Sequence, residues 1–243
     1  MKPVTKRRID LLLVEKGLAE GTGKARALLM AGRVTVDGRL VDKAGTPVPA
    51  DAAIEVEAPP PYVGRGGIKL AHALDSFGLD VTGMTALDVG ASTGGFTDCL
   101  LQRGAARVYA LDVGRGQIDQ RIRQDIRVAM MERVNARHRF ELPETVDVAT
   151  VDVSFISLTM VLPRVVEHVK PGGNILALVK PHFEAERGQV GKGGVVRDPK
   201  VHAAVLSRLI LWAIDQGFRM RALTPSPILG DAGNREFFLR LER

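Results

Sequence analysis

Several features that would indicate a particular environment are missing from this sequence of 243 residues. The chain has one cysteine, Cys99, so it cannot form an internal disulfide, and a cysteine-based zinc site is a poor interpretation. It has no run of about 18 apolar residues, and its first thirty residues mix charged with apolar positions, so neither a transmembrane helix nor a signal peptide is expected. These absences predict a soluble, cytoplasmic protein with no membrane partner.

Positive charge is what the chain has in surplus. Its 34 Lys and Arg residues exceed its 28 Asp and Glu residues, which gives a net charge of +6 and a pI near 9.7. Residues 1–45 alone contain ten basic and five acidic residues. Such a bias favours a polyanionic partner, although an ordinary solvated surface would look the same from charge alone.

The start of the chain predicts two short helices. Ile9, Leu12 and Leu13 share one face of the first helix, and Gly17 ends it. Thr22 is predicted to cap the second helix through its side-chain hydroxyl.

A hairpin and a further strand are predicted next. The turn residues Asp37-Gly38 lie between short runs of β-branched and aliphatic residues, which is a strong hairpin pattern, and residues 54–56 read as another strand. The three prolines at 59–61 cannot continue a helix or a strand. We therefore predict a first domain over residues 1–58, a stiff linker over 59–64 and a second domain over 65–243.

The order of these elements resembles the S4-type RNA-binding domain. The matching segment runs from Arg8 to Val56, and its signature is ALLMAGRVTVDG, residues 27–38. The resemblance implies that the basic residues of this small α+β domain hold RNA. The side chains that we predict to contact RNA are Lys6, Arg7, Arg8, Lys24, Arg26 and Arg33.

Beyond the linker, short apolar runs rich in valine and isoleucine alternate with helical stretches. The runs are residues 86–89, 108–111, 128–131, 146–153 and 175–179. This alternation predicts a parallel sheet covered by helices on both faces. The fold class we predict is α/β, with a Rossmann-like sheet following the S4-type domain.

A glycine-rich turn follows the first of these strands and precedes a helix that begins near Phe96. It lacks the Gly-x-Gly-x-x-Gly spacing of a dinucleotide site, which favours S-adenosylmethionine as the cofactor of a methyltransferase. Asp112 is expected to accept the ribose hydroxyls, Asp88 to lie near the methionine end, and Glu132 to lie either near the adenine or on an exposed loop. The residues predicted to bind the cofactor are Asp88, Gly90, Ser92, Thr93, Gly94, Gly95, Phe96, Asp112 and Glu132.

The residue pattern disfavours methyl transfer to a base. Transfer to a cytosine carbon usually needs a cysteine nucleophile, whereas Cys99 lies one turn into a helix and is expected to be a small core residue. Adenine N-methylation usually shows a proline-containing motif after the fourth strand, and residues 152–155, Asp-Val-Ser-Phe, contain no proline. The ionisable groups that remain are Lys69, opening a helix, Asp152 and Lys180, each closing a strand, and Glu236, entering the last strand.

The whole chain resembles the TlyA (hemolysin A) family, whose members join an S4 domain to an FtsJ-like ribosomal RNA 2′-O-methyltransferase domain. The further stretches that carry the resemblance are residues 62–70, 88–97, 112–117, 152–158, 179–184 and 233–238. The resemblance implies a catalytic Lys-Asp-Lys-Glu tetrad, which falls by position on Lys69, Asp152, Lys180 and Glu236. It also implies cytidines of ribosomal RNA, free or in ribosomal subunits, as the substrate, either in both 16S and 23S rRNA or in 23S rRNA alone.

The chemistry agrees with this resemblance. A ribose 2′-hydroxyl is a poor nucleophile and a lysine is ordinarily protonated at neutral pH, so a second cation near Lys180 would favour its basic form. We expect Lys69 to supply that cation, and Asp152 and Glu236 to orient the lysines and the hydroxyl. A sulfonium is its own leaving group, so alignment is much of what the protein must provide, and no metal is expected.

Two other functions are open at this point, a pore-forming haemolysin and a non-catalytic RNA-binding or ribosome-assembly factor. No strongly amphipathic or membrane-spanning segment supports the first, and the intact tetrad argues against the second. The glycine-rich stretch 188–194 is either a mobile lid or a disordered connection. The sequence does not indicate an oligomeric state.

Overall fold

The computed structural model describes residues 5–58 and 60–243. The chain divides into two compact units, Met1–Pro60 and Pro61–Arg243. The first four residues of the predicted first domain, and Pro59 of the predicted linker, lie outside the described residues. Residues 61–63 are held by the second unit, because Gln102 Nε2 donates to Pro61 O at 2.9 Å and the Val63 N–H donates to Asp98 Oδ2 at 2.8 Å.

The first unit packs two helices against short strands. Its elements in chain order are β1 (Lys6–Arg8), α1 (Ile9–Glu15), α2 (Thr22–Met30), β2 (Val34–Val36), β3 (Arg39–Leu40), β4 (Pro47–Pro49) and β5 (Ile54–Val56). β2 lies between β3 and β5 in an antiparallel sheet, and β1 pairs with β4. Ile9, Leu13, Leu29 and Val34 are fully buried, because helical and strand periodicity bring them to one small core.

Most of the elements predicted for this unit are confirmed, with two differences. The predicted cap on α2 is wrong: Gly21 occupies the cap position and Thr22 is the first helical residue, so no side chain caps the helix. The pair β1–β4 was not predicted, since Lys6–Arg8 is entirely charged and Pro47–Pro49 has a proline at each end. Both strands pair only along one edge, where missing apolar alternation and proline are tolerated.

The second unit alternates strands and helices along its length. Its elements are α3 (Arg65–Phe77), β6 (Thr85–Val89), α4 (Gly95–Gln102), β7 (Arg107–Asp112), α5 (Gln120–Arg123), β8 (Val128–Glu132), β9 (Val146–Val151), α6 (Leu158–Val165), β10 (Val169–Val179), α7 (Pro181–Glu184), α8 (Pro199–Asp215), β11 (Arg219–Pro225) and β12 (Phe237–Glu242). Short 3₁₀ turns lie at Val166–His168, Arg187–Gln189 and Asp231–Gly233.

A single seven-stranded sheet organises this unit, in the order β11-β12-β10-β9-β6-β7-β8. β12 runs antiparallel to both of its neighbours, and the remaining pairs are parallel. The chain passes outward from β6 to β8 on one side and restarts at β9 on the other, so the carboxyl ends of β6 and β9 flank a topological switch point. The predicted α/β Rossmann-like fold is confirmed.

Helices cover the sheet on both faces, as the apolar runs predicted. One buried cluster joins the strands to α6 and α8, and the other joins them to α3 and α4. Adjacent strand residues point to opposite faces, so Leu87 belongs to the first cluster and Ala86 to the second. Cys99 is fully buried in the second cluster, in agreement with a core role. None of the helices within the described residues is long and apolar enough to cross a membrane.

Two predicted element boundaries are wrong, and both affect the candidate site. β9 ends at Val151 rather than at residue 153, so Asp152 lies just beyond the strand. Lys69 is the fifth residue of α3 and lies in its second turn, because the helix already begins at Arg65. Two glycines near the start of a helix disguise its beginning in the sequence, since glycine has a low helix propensity.

Candidate active site

The glycine-rich turn brings two strand ends into direct contact. Gly90 has a φ of 86°, in the left-handed region that favours glycine. A Cβ at this position would overlap the main-chain oxygen of Asp152. The Asp152 N–H also donates to Val89 O at 2.9 Å. Glycine is therefore required here for the ends of β6 and β9 to lie side by side.

Asp112, at the end of β7, holds the turn in place. Its Oδ2 accepts a hydrogen bond from the Ser92 N–H at 2.7 Å, and its Oδ1 accepts one from the Gly114 N–H at 2.6 Å. Each carboxylate oxygen has a further lone pair, so the group can still accept hydrogen bonds from the hydroxyl groups of a ligand. The predicted place of Asp112 at the sheet edge is confirmed by this geometry, and its role as a ribose ligand stays a prediction.

A cavity of about 760 Å³ opens at these strand ends. Its wall combines carboxylate, amide and hydroxyl groups with aliphatic and aromatic side chains, as ligand sites usually do. The lining residues are Val89, Gly90, Ser92, Leu111, Asp112, Val113, Gln117, Val134, Asn135, Ala136, Arg137, Asp152, Val153, Ser154, Phe155, Ile156, Ser157, Met160, Val161 and Phe183.

A second cavity, of about 230 Å³, adjoins the first and contains all four residues of the predicted tetrad. Gly90, Ser92, Asp152 and Ser154 line both cavities, so they lie where the two meet. The residues lining the second cavity are Arg65, Gly66, Lys69, Gly90, Ala91, Ser92, Thr93, Gly95, Phe96, Asp152, Ser154, Lys180, Asp231 and Glu236. The fold thus gathers side chains from separate segments of the chain around one small space.

The four charged side chains form two ion pairs. Lys69 Nζ lies 2.5 Å from Glu236 Oε2, and both side chains are more than nine-tenths buried. Lys180 Nζ lies 2.6 Å from Asp152 Oδ1 and donates a hydrogen bond to Ser154 Oγ at 2.8 Å. The Lys180 contact with Asp152 does not have hydrogen-bond angles, so the buried Oδ1 atom has no hydrogen-bond partner within the described residues. Oδ1 is therefore held by the charge of Lys180, and the Asp152 side chain is 21% exposed at the wall of the cavity.

These ion pairs agree with part of the roles predicted for the four residues and change another part. As predicted, each acid contacts a lysine directly: Glu236 contacts Lys69, and Asp152 contacts Lys180. The ammonium of Lys69, however, is neutralised by Glu236 at 2.5 Å, which weakens the expected effect of a free neighbouring cation on Lys180. The sequence could not predict this pairing, because 167 residues separate its two members.

Some of the predicted residues of the glycine-rich turn line the smaller cavity, and others pack against neighbouring side chains. Ser92 and Thr93 line the smaller cavity, both from exposed positions. Gly94 packs on Ile118, whose Cγ1 would lie 2.9 Å from an added Cβ. Gly95 also lines the smaller cavity, and buried Phe96 lies at its wall.

Asp88 and Glu132 lie away from both cavities. Asp88 is fully buried, and it accepts hydrogen bonds from Thr97 Oγ1 at 2.7 Å and Thr150 Oγ1 at 2.9 Å. Burial raises its pKa to about 6. Glu132 accepts hydrogen bonds from the Gly116 N–H and from Arg123. Neither carboxylate lines a described cavity, and their contact with a cofactor stays a prediction.

Two residues of the loop after β9 were not singled out by the sequence analysis. Ser154 joins Lys180 at the cavity junction. Phe155 is 90% exposed, has a φ of 64° and lies 4.9 Å, ring centre to ring centre, from Phe183. An aromatic residue following a strand-end acid was the available signal. Its positive φ is a genuine outlier for a bulky side chain and points to a functional role.

In the first unit, the predicted RNA-contacting side chains lie mostly on the surface. Arg8 Nη2 lies 2.8 Å and Arg26 Nε 3.4 Å from Oδ2 of the fully buried Asp10, and the Arg8 guanidinium holds the pKa of Asp10 below its usual value. Arg7 pairs with Glu15 at 2.8 Å. The remaining candidates are Lys6 and Lys24, which are exposed, and Arg33, which is half-buried.

Two family models match the chain and together span most of it. Residues 62–243 match the FtsJ-like methyltransferase model, and residues 7–54 match the S4 domain model.

Relatives of known sequence and structure match along nearly the whole chain. YqxC of Bacillus subtilis is 48% identical over 240 residues, which is 97% of this chain and 85% of that protein. The 16S/23S rRNA (cytidine-2′-O)-methyltransferase TlyA of Mycobacterium tuberculosis is 43% identical, over 96% of this chain and 89% of TlyA. A solved structure from Streptococcus thermophilus has a TM-score of 0.75 and 42% identity, and it covers 99% of this chain and 89% of that one.

Proposed function

The chain belongs to the FtsJ-like methyltransferase family, in its TlyA (hemolysin A) branch with an S4 domain, and from that premise we propose that it methylates a ribose 2′-hydroxyl, on cytidine of ribosomal RNA. The methyl donor is S-adenosylmethionine. The observation that carries the proposal is the pair of adjoining cavities, one large and one containing Lys69, Asp152, Lys180 and Glu236. A donor and an acceptor of a methyl group need two such adjacent spaces.

The larger cavity suits the cofactor in size and in chemistry. Its volume of about 760 Å³ lies in the range of small-molecule sites. Asp112 would accept the ribose hydroxyls, and aliphatic Val113 and Val134 would pack on the adenine. Gly90 lets the ends of β6 and β9 meet at this cavity, because a side chain there would overlap the main-chain oxygen of Asp152. When bound, the cofactor supplies a methyl group on a sulfonium, an electrophile with its own leaving group.

The smaller cavity would hold the reacting ribose. The Asp152 carboxylate, whose side chain is 21% exposed at this cavity, can accept a hydrogen bond from the 2′-hydroxyl and turn that group towards Lys180. Lys180, in its neutral amine form, then receives the proton as the oxygen attacks. The buried pair of Lys69 and Glu236 lines the same cavity and would fix the sugar by hydrogen bonds.

The RNA would be held through two kinds of contact. In the S4 domain, Arg8 and Arg26 present guanidinium groups that are more than half exposed, which suits phosphate oxygens. At the cavity, exposed Phe155 offers a flat surface on which an unpaired base can stack. This division assigns the affinity mainly to the first unit and the chemistry to the second.

Methyl transfer from labelled cofactor to naked 16S rRNA, naked 23S rRNA and separate ribosomal subunits tests the proposal. The product should resist alkaline cleavage at one or two mapped cytidines, because a 2′-O-methyl group removes the nucleophile of backbone hydrolysis. Label on a base, or RNA binding without label transfer, would contradict the proposed reaction.

Variants of Lys180 test its role as the base. Lys180→Ala and Lys180→Arg should both lose single-turnover methylation while keeping cofactor and RNA affinity, since a guanidinium retains its proton at working pH. The matched control is Lys170→Arg, on the strand that leads to Lys180 and outside both cavities. Robust activity in Lys180→Arg would show that Lys180 is not the base and leave proton removal to Asp152, Glu236 or water.

A further inference from the structure

The turn that carries Lys180 also carries Glu184, the last residue of α7 (Pro181–Glu184). The Glu184 carboxylate accepts two hydrogen bonds from the start of α6. Ser157 Oγ donates to Oε2 at 2.7 Å, and the Leu158 N–H donates to Oε1 at 2.8 Å. Glu184 therefore ties the turn after β10 to the segment after β9, 26 residues earlier in the chain.

That earlier segment, residues 152–157, is held at three points. At its start, the Asp152 N–H donates to Val89 O at 2.9 Å. In its middle, Lys180 donates to Ser154 Oγ at 2.8 Å. At its end, Glu184 accepts from Ser157. Two of the three attachments come from the turn 180–184. This turn and the 152–157 loop therefore support each other and position Asp152 against Lys180.

The bond from Ser157 to Glu184 is not needed to begin α6. Ser157 is the N-cap of that helix, and its Oγ already accepts a hydrogen bond from the Thr159 N–H at 3.2 Å. The two bonds to Glu184 come in addition, and their effect is to fix the distance between two strand-end loops.

The loop between these attachments has a conformation that needs external support. Phe155 adopts a φ of 64°, which a bulky side chain leaves readily when nothing holds it. Its ring contacts Phe183, on the same turn as Glu184. Loss of the Glu184 attachment would free the end of the loop and let Phe155 and Asp152 move from the positions in which they line the cavities.

We propose that Glu184 is a positioning residue for methyl transfer, which acts by clamping the 152–157 loop against the Lys180 turn. It lines neither of the two cavities. This proposal rests on the proposed function, because its effect is on the rate of that reaction. A misplacement of about 1 Å at a reacting centre can slow a reaction about 100-fold.

Glu184→Ala and Glu184→Gln, in the full chain, test the proposal by single-turnover methylation at saturating cofactor and rRNA. The alanine variant should slow transfer about 10- to 100-fold, with cofactor and RNA dissociation constants unchanged. The glutamine variant should lose less, because its amide oxygen can still accept from Leu158. The matched control is Glu186→Ala, two residues on, whose carboxylate caps the 3₁₀ turn Arg187–Gln189 instead.

A second measurement needs no activity. A tryptophan reporter, Phe155→Trp in a chain that also carries Trp212→Phe, follows the loop by fluorescence anisotropy. Glu184→Ala should lower that anisotropy, and Glu186→Ala should leave it unchanged. If the parent chain fails to methylate rRNA, the proposed function fails, and the anisotropy still tests the clamp. Parent-like rate and anisotropy in Glu184→Ala, or a rate loss matched by an equal loss of cofactor affinity, would overturn the proposal.

Discussion

Replacing Asp88 by asparagine should stabilise the protein above pH 6 and leave its stability nearly unchanged in acid. The carboxyl group is fully buried beneath the candidate cofactor turn, and burial raises its pKa from 3.8 to about 6. In the unfolded chain the group returns to its ordinary value. Between these two pH values, the folded protein holds a proton that the unfolded chain has released.

The sign and the size of the effect follow from that difference. Raising the pH from 3.8 to about 6 favours the unfolded chain. The loss of stability caused by Asp88 is complete above about pH 6. The difference between the two values corresponds to about 3 kcal/mol, at about 1.4 kcal/mol for each tenfold change. Asp88→Asn removes the titration, so the stability of the variant relative to the parent should rise by about 3 kcal/mol between about pH 4 and about pH 7.

Urea unfolding at several pH values, followed by the fluorescence of Trp212 in α8, measures this difference. Asp147→Asn is the matched control of opposite sign. Burial raises the pKa of Asp147, but Lys170 Nζ, 2.6 Å from Asp147 Oδ1, and the Thr85 N–H lower that pKa by more than burial raises it. The net pKa of Asp147 therefore lies below its usual value. The Asp147 contribution is thus present above its ordinary pKa and lost as the pH falls. A stability difference between Asp88→Asn and the parent that is constant with pH would refute the reasoning.

Three further predictions address the cofactor, the buried ion pair and the RNA. Asp112→Ala should weaken S-adenosylmethionine binding about 10- to 100-fold by calorimetry, as expected for the removal of hydrogen bonds to a charged acceptor, and equal affinity would remove Asp112 from the site. Lys69→Met should lower the free energy of unfolding by about 3 to 5 kcal/mol, because Glu236 is left buried without its cation. The double variant Lys69→Met, Glu236→Gln should recover most of that lost stability. Removing residues 1–58 should spare cofactor affinity and weaken RNA binding. The slope of log RNA affinity against log salt concentration should become smaller by about 0.7 to 0.9 for each phosphate that the S4 domain neutralises. An unchanged slope would contradict RNA binding by that domain.

Local patterns carried much of the fold. Strand β6 and the turn after it could be placed from the sequence because apolar runs, glycine and a following helix are signals confined to about fifteen residues. The S4 hairpin is similar, since Asp37 and Gly38 both adopt the positive φ that its tight turn requires. The tetrad residues could be named from their motifs, and the structure places all four at one cavity.

The partners of those residues depend on contacts between distant parts of the chain. Lys69 meets Glu236 across 167 residues, and no local pattern encodes which carboxylate a lysine will face. The position of Asp88 near the end of a strand could be predicted, but its full burial and its hydrogen bonds with Thr97 and Thr150 could not. Burial and pairing are properties of the closed sheet, and they arise only when β6, β9 and β12 bring their ends together.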